Sequence, residues 1–313
     1  MCCLFGMIDY KQNFYGREKS HMLSILATAC EARGTDATGI AYNTGNSLKI
    51  YKRPLPAHKI RLRIPDDAFV VMGHTRMATQ GPAKFSKNNH PFPGRAGGKS
   101  FALAHNGVLY NDHLLRCTER LPTTTIETDS YIAVQLLEQQ GALSFDSLRY
   151  MAEKVEGSFS FTVLNAQNDL YFVKGDSPLC IYHYPETGLY LYASTEEILG
   201  KALCRMSRPL EQPRKITVEC GDILRIARNG EQVWGQFSAE QFTNRWGWRG
   251  LWEAVPQGKD VRLWQHSDAQ EEYLRELKSI AVFSGYDAGF VDAMLEDGFS
   301  MDDVEEMLCY GWR

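Results

Sequence analysis

From residue 1 to about 235, short apolar, β-branched and aromatic runs keep alternating with clusters of Gly, Asn and Asp, and this pattern constrains the fold more than any other feature. Strands are predicted at 39–43, 48–52, 68–73, 101–104, 159–164, 169–173, 179–184, 189–193, 223–227 and 231–236. The last two flank Asn229-Gly230, a strong hairpin turn signal, so the C-terminal strands of this region should pair antiparallel. Helical spacing marks 18–32, through Leu23, Leu26 and Ala27, and 127–140, where Ile132, Ala133, Leu136 and Leu137 share a face after Thr128-Asp129-Ser130. A layered, sheet-rich α+β domain is expected.

Beyond that domain, taken as 1–236, the composition changes. Residues 237–265 hold four tryptophans (246, 248, 252 and 264) with Pro256 and Gly258, and read as a linker anchored on its own domain in preference to an exposed partner site. Residues 266–313 are acidic and punctuated by Gly285, Gly289 and Gly298, with Ser300-Met301-Asp302-Asp303 as a helix start. Two or three short helices are expected there, forming a module that either docks a partner or covers the main domain.

Composition removes several function classes. The 313 residues carry 34 basic and 38 acidic side chains, a net charge of -4, so no global basic field favours nucleic acid. No segment approaches the ~18 uninterrupted apolar residues of a membrane span, and the N-terminus lacks the pattern of a secretion signal, so a cytoplasmic protein is expected. The eight cysteines (2, 3, 30, 117, 180, 204, 220 and 309) include no Cys-x-x-Cys pair and should be mostly reduced. No glycine-rich nucleotide fingerprint is present, and His74, His90 and His105 lie on separate segments without acidic partners at ligand spacing. Neither a cofactor nor a metal is expected.

Chemistry concentrates in a few blocks. Cys2 becomes the first residue if Met1 is removed, and one residue then carries both a thiol and an α-amine that can take its proton. The strand Ala68–Met72 ends in Gly73-His74-Thr75-Arg76-Met77-Ala78-Thr79-Gln80-Gly81, placing a guanidinium suited to a carboxylate, and a hydroxyl, on a loop. After Ser100–Leu103, Asn106 and Gly107 in Ala104-His105-Asn106-Gly107 offer two neutral donors of the type an oxyanion hole requires. Asp129, in Glu127-Thr128-Asp129, is either a helix cap or a carboxylate for a substrate ammonium.

These blocks resemble the class II glutamine amidotransferases, the N-terminal-nucleophile family, and most closely the glutaminase domain of glucosamine-6-phosphate synthase. The resemblance rests on Met1-Cys2-Cys3-Leu4-Phe5-Gly6, Arg33-Gly34-Thr35-Asp36-Ala37-Thr38-Gly39, His74–Thr79, Asn89-His90-Pro91, His105-Asn106-Gly107 and Glu127-Thr128-Asp129. Gly157-Ser158-Phe159-Ser160-Phe161 and Gly175-Asp176-Ser177-Pro178-Leu179 extend it. It implies a four-layer α/β/β/α sandwich of two antiparallel sheets between helices. It also implies Cys2 as nucleophile with its own amine as base, and Asn106 and Gly107 as the oxyanion hole. Arg76 with Thr79 would hold the α-carboxylate of glutamine, and Asp129 with Gly107 its α-ammonium.

Three residues depart from the family pattern: Cys3 stands for glycine, Met77 for tryptophan and Gln80 for histidine. Met77 and Gln80 are expected to line the substrate pocket or its closing loop. Cys3 is read as an incidental small residue in preference to a vicinal disulfide partner. The residues after 236 are too few for the ammonia-consuming synthase that family enzymes usually carry. The expected function is therefore hydrolysis of L-glutamine, with ammonia passed to a separate synthase subunit docked on the C-terminal region. The alternatives are a stand-alone hydrolase of γ-glutamyl amides and a catalytically idle binding protein.

Overall fold

The computed structural model describes residues 2–45, 47–208 and 210–242, and beyond them 274, 278, 281, 286–287, 289–297 and 304. The chain divides into two compact units, Met1–Gly250 and Leu251–Arg313.

The first unit is the four-layer α/β/β/α sandwich. One sheet has seven antiparallel strands: β1 (Cys3–Asp9), β2 (Ala37–Thr44), β3 (Ser47–Arg53), β4 (Val70–Arg76), β9 (Cys180–Tyr184), β10 (Leu189–Ala193) and β11 (Arg214–Ile216). Their order is β11-β9-β10-β1-β4-β2-β3. The other has six, β5 (Phe92–Ala96), β6 (Lys99–Leu109), β7 (Gly157–Asn165), β8 (Leu170–Lys174), β12 (Asp222–Ile226) and β13 (Gln232–Gln236), in the order β13-β12-β8-β7-β6-β5.

Three hydrophobic layers hold the sandwich. Alternation along β1 sends Phe5 and Met7 outward to Leu23 and Leu26 of α1 (Gly16–Cys30) and to Leu199 of α5 (Glu196–Leu203). The intervening Leu4 and Ile8 point inward, where Met72, Ala104, Phe172 and Tyr192 fill the space between the sheets. Outside the second sheet, Phe101, Leu103 and Phe161 pack on Ile132 and Leu136 of α3 (Tyr131–Gln139) and on Met151 of α4 (Phe145–Lys154). A short helix, α2 (Asp112–Thr118), follows β6.

Each of the ten expected strands is present within a few residues, and Gly230 takes φ +86 in the β12–β13 turn. β1, β5 and β11 and helices α2, α4 and α5 are additions to the sequence reading. At the end of β1, Asp9 and Lys19 form a fully buried ion pair at 3.2 Å. Such a pair is tolerable only with every polar group satisfied. Here Asp9 also accepts from the Asn13 and Phe14 amides, and Lys19 donates to the Asp66 and Ala68 carbonyls.

Phe237 and Phe242 pack into the outer layer of the six-stranded sheet. The tryptophans at 246, 248, 252 and 264 and the expected helix start at 300–303 lie outside the described residues. In the second unit, α6 (Phe290–Glu296) contributes Val291 and Met294 to a small buried cluster with Ala281 and Val304. Among the described residues, no helix is long and apolar enough to cross a membrane.

Candidate active site

The pairing of β1 with β4 builds the site. Cys3 lies opposite Thr75, so Cys2 falls beside Arg76 where both strands end. The Cys2 thiol donates to the Met77 carbonyl at 3.4 Å, and Arg33 Nε donates to the Cys2 carbonyl at 2.9 Å. Burial pushes the thiol up to about 11, against the opposing pull of the Met77 hydrogen bond and the Arg76 charge. A thiol held there is protonated at neutral pH and needs a base to become a nucleophile.

The turn after α1 braces this corner. The Asp36 amide donates to the Arg76 carbonyl at 2.9 Å, and its carboxylate accepts from the Ala78 amide at 2.8 Å. Gly34 passes so close that a Cβ would lie 2.5 Å from the Arg76 carbonyl carbon. The Arg33–Gly39 block thus positions both Cys2 and the loop bearing Met77, Thr79 and Gln80.

Arg76 is 3% exposed and folds that loop around its guanidinium. Nη1 donates to Asn89 Oδ1 at 2.7 Å, and Nη2 to the carbonyls of Gln80 and Gly81 at 2.5 and 2.7 Å. A guanidinium has five N–H donors, so two remain for a ligand carboxylate. Thr79 sits half-buried on the same loop.

A hydrogen bond joins the six-stranded sheet to this corner: His74 Nε2 donates to the His105 carbonyl at 2.9 Å. Asn106 and Gly107 follow directly. Asn106 is fully buried, and neither its amide nitrogen nor its amide oxygen has a hydrogen-bond partner. An unpaired buried amide is destabilising, and it is accounted for if a ligand or transition state completes it. Gly107 has φ +140, and a Cβ there would lie 1.8 Å from the Ser158 carbonyl oxygen. Only glycine fits.

Asp129 is not a helix cap: α3 starts at Tyr131, after Ser130. Its Oδ2 accepts from the Leu109 amide at 2.7 Å and its Oδ1 from Ser130 Oγ at 3.2 Å, while its own amide donates to Gln80 Oε1 at 3.1 Å. Ser130 Oγ also lies 2.8 Å from His105 Nδ1, and His105 Nε2 lies 3.3 Å from the Ser158 carbonyl, which can only accept, so a neutral imidazole donates to one of the two. Cys2, Arg76 and Asp129 are therefore brought together, Arg76 and Asp129 both lying within electrostatic reach of the thiol.

The sequence reading treated the three histidines as isolated, and here the structure differs. His74 and His90 have ring centroids 4.2 Å apart, and His90 and His105 6.4 Å apart. Burial keeps all three imidazoles neutral, with His74 brought down to about 3. Beside them Lys52 donates to the carbonyls of Asn89 and Pro91 at 2.6 and 3.1 Å. Burial and the Arg76 charge lower Lys52 to about 8. Among the described residues, no group of three or more His, Cys, Asp or Glu is placed to hold a metal ion. Cys2 and Cys3 are both free thiols, and Cys3 faces the outer layer with Cys30.

A glutamine amidotransferase domain family matches residues 74–201, which span Arg76, Asn106, Gly107 and Asp129. Residues 74–201 thus carry a glutamine amidotransferase domain. Cys2, upstream of the matched residues, joins that amidotransferase domain through β1. A glutamine–fructose-6-phosphate aminotransferase of Bacillus thuringiensis subsp. konkukian is 37% identical over 161 residues, covering 48% of this chain and 26% of that protein. The aminotransferase of the same name from Staphylococcus epidermidis is 31% identical over 191 residues, covering 58% of this chain and 30% of its own length. The chain thus spans about a quarter to a third of these relatives. Among solved structures, an allosteric regulatory enzyme of purine biosynthesis superposes with TM-score 0.61 at 20% identity, over 76% of this chain and 49% of that one. Glutamine phosphoribosylpyrophosphate amidotransferase from B. subtilis superposes with TM-score 0.58 at 19% identity, over the same shares. These likenesses concern the fold of the amidotransferase domain.

Proposed function

We propose that this chain hydrolyses the side-chain amide of L-glutamine at Cys2 and releases ammonia for an acceptor enzyme. The observation that carries the reading is the convergence of Cys2, Arg76 and Asp129 at one corner, with the unpaired Asn106 amide beside Gly107 on the strand that meets it. A zwitterion with a neutral amide at its far end needs these groups: a guanidinium, a carboxylate, a nucleophile and neutral donors.

Removal of Met1 gives Cys2 a free α-amine, whose ordinary pKa of ~7.7–8.0 suits it to take the thiol proton. The Cys2 sulfur attacks the amide carbon, and Asn106 with the Gly107 amide steadies the oxyanion. The amine passes the proton to the leaving nitrogen, the C–N bond breaks and ammonia departs, leaving a γ-glutamyl thioester that water hydrolyses to glutamate. Arg76 with Thr79 binds the α-carboxylate, and Asp129 with Gly107 the α-ammonium. The ammonia acceptor is a separate synthase in this reading, docked on the C-terminal region, and the protein works in the cytoplasm.

A second reading, hydrolysis of a larger γ-glutamyl amide, is favoured by Met77, which is 49% exposed beside the nucleophile and leaves the rim of the site open to a bulkier leaving group. The test is glutamate release by purified protein with Met1 shown by intact mass to be absent, compared with Cys2→Ala, on glutamine and on a panel of γ-glutamyl amides. Cys2-dependent turnover preferring glutamine supports the first reading, preference for a larger amide the second, and turnover unaffected by Cys2→Ala refutes both.

A further inference from the structure

The two receptors for an α-amino acid, Arg76 for its carboxylate and Asp129 for its ammonium, come from different segments of the chain, the end of β4 and the loop before α3. The two groups they bind sit on one carbon atom, so the spacing of the receptors decides whether both can be engaged together. One residue is bonded to each. The Gln80 carbonyl accepts from Arg76 Nη2, and the Gln80 side-chain oxygen accepts from the Asp129 amide. Asn88 makes a parallel tie one turn away, its amide nitrogen donating to Glu127 Oε2 at 2.8 Å and its oxygen accepting from the Glu127 amide at 3.1 Å. Asn88 thereby anchors the segment as a whole, whereas Gln80 links the two receptors themselves.

We propose that Gln80 is a positioning residue that sets the distance between Arg76 and Asp129, and so makes the site selective for substrates bearing a free α-ammonium. This rests on the proposed glutaminase reading and deepens it. Its basis is a division of labour within one residue. The bond to Arg76 uses the backbone carbonyl and survives any side-chain replacement, while the bond to Asp129 uses the side chain alone. Replacing the side chain therefore loosens the ammonium receptor and leaves the carboxylate receptor, the nucleophile and the oxyanion donors in place. The carboxylate of Asp129 keeps its ties to Leu109 and Ser130, so the expected change is a shift in position and not a loss of the group.

The experiment pairs a side-chain deletion with a substrate deletion. Gln80→Met keeps length and shape and removes the acceptor; Gln80→Glu keeps an acceptor oxygen at the same reach. Each is assayed on L-glutamine and on glutaramate, the same amide without the α-amino group. Gln80→Met should lower kcat/KM for glutamine about tenfold, almost all of it in KM, as loss of one hydrogen bond implies. It should change kcat/KM for glutaramate by less than about twofold, and Gln80→Glu should recover most of the loss. If Gln80→Met does not fold, Gln80→Ala supplies the same comparison. An equal fall on both substrates, or no fall on glutamine, overturns the inference while leaving the glutaminase reading intact. Wild-type protein that turns over neither substrate in a Cys2-dependent way overturns the glutaminase reading, and this inference with it.

Discussion

His74 donates from Nε2 to the carbonyl of His105 at 2.9 Å, and this bond joins the two sheets two residues before Arg76 on one side and one residue before Asn106 on the other. The Arg76 guanidinium and the Asn106 amide thus arise from strands distant in sequence, yet their relative placement is held by a buried hydrogen bond between neutral groups. A protonated His74 would desolvate a charge between the sheets, which explains why burial holds its pKa near 3.

The Asn106 amide is expected to serve the transition state and not the fold. Asn106→Leu, of similar volume, should lower kcat about 10²- to 10³-fold with KM changed only a few-fold. Because the buried amide has no partner, the same substitution should leave the thermal midpoint unchanged or raised. Steady-state kinetics and thermal melting on one preparation check both halves. A destabilised variant with undiminished kcat would contradict the assignment.

Gly107→Ala is expected to destabilise the fold by about 3 kcal/mol or more, since it combines a strained backbone with a hard clash. The clash is the 1.8 Å approach to the Ser158 carbonyl oxygen. Gly45→Ala is the control: φ there is also positive, at +52, but nothing lies within 4 Å of the added Cβ. Its cost should be about 1–2 kcal/mol. Denaturant titration of both variants measures the difference.

Acid should destabilise the protein through the histidine cluster. A histidine whose folded pKa is lowered binds its proton in the unfolded chain first, so stability is full above the unfolded value of ~6.5 and falls as pH drops below it. For His74, with a folded value of about 3, the loss between neutral pH and pH 5 is about 2 kcal/mol. His90, whose ring nitrogens have no partner and which packs against His74 and Phe92, adds to it. His90→Phe should flatten the pH dependence of the unfolding free energy between pH 5 and 7. An unchanged slope would show that His90 does not contribute.

Catalysis should titrate in the opposite region. The amine acts as base only when neutral, so kcat/KM should rise with pH through ~7.7–8.0 and then level off. The thiol, held at about 11, should contribute no rise below pH 9.5. A pH–rate profile distinguishes this from direct ionisation of Cys2, which would show continued increase.

Much of this was legible in the sequence, for definite reasons. Strands β12 and β13 announce themselves by the Asn229-Gly230 turn between two short apolar runs. β1 escaped because it is buried on both faces, where a run such as Cys3-Leu4-Phe5-Gly6-Met7-Ile8 carries no period. Arg76, Asn106, Gly107 and Asp129 drew attention in the sequence because each lies at or near a strand or helix end beside residues of matching chemistry. What binds Asp129 was not readable: Leu109, Gln80 and Ser130 reach it from three segments, and side-chain to backbone bonds of that kind leave no periodic trace. The meeting of His74, His90 and His105 depends on the stacking of two sheets, which spacing along the chain does not encode.

The central claim is that Cys2 is the nucleophile. Incubating the protein, with Met1 shown to be absent, with the glutamine analogue 6-diazo-5-oxo-norleucine and mapping the adduct by peptide mass spectrometry tests it directly. The expected result is one stoichiometric adduct on Cys2, with parallel loss of glutamate release and protection by glutamine. Inactivation with the adduct on any other residue, or full glutaminase activity in the modified or Cys2→Ala protein, would contradict the account.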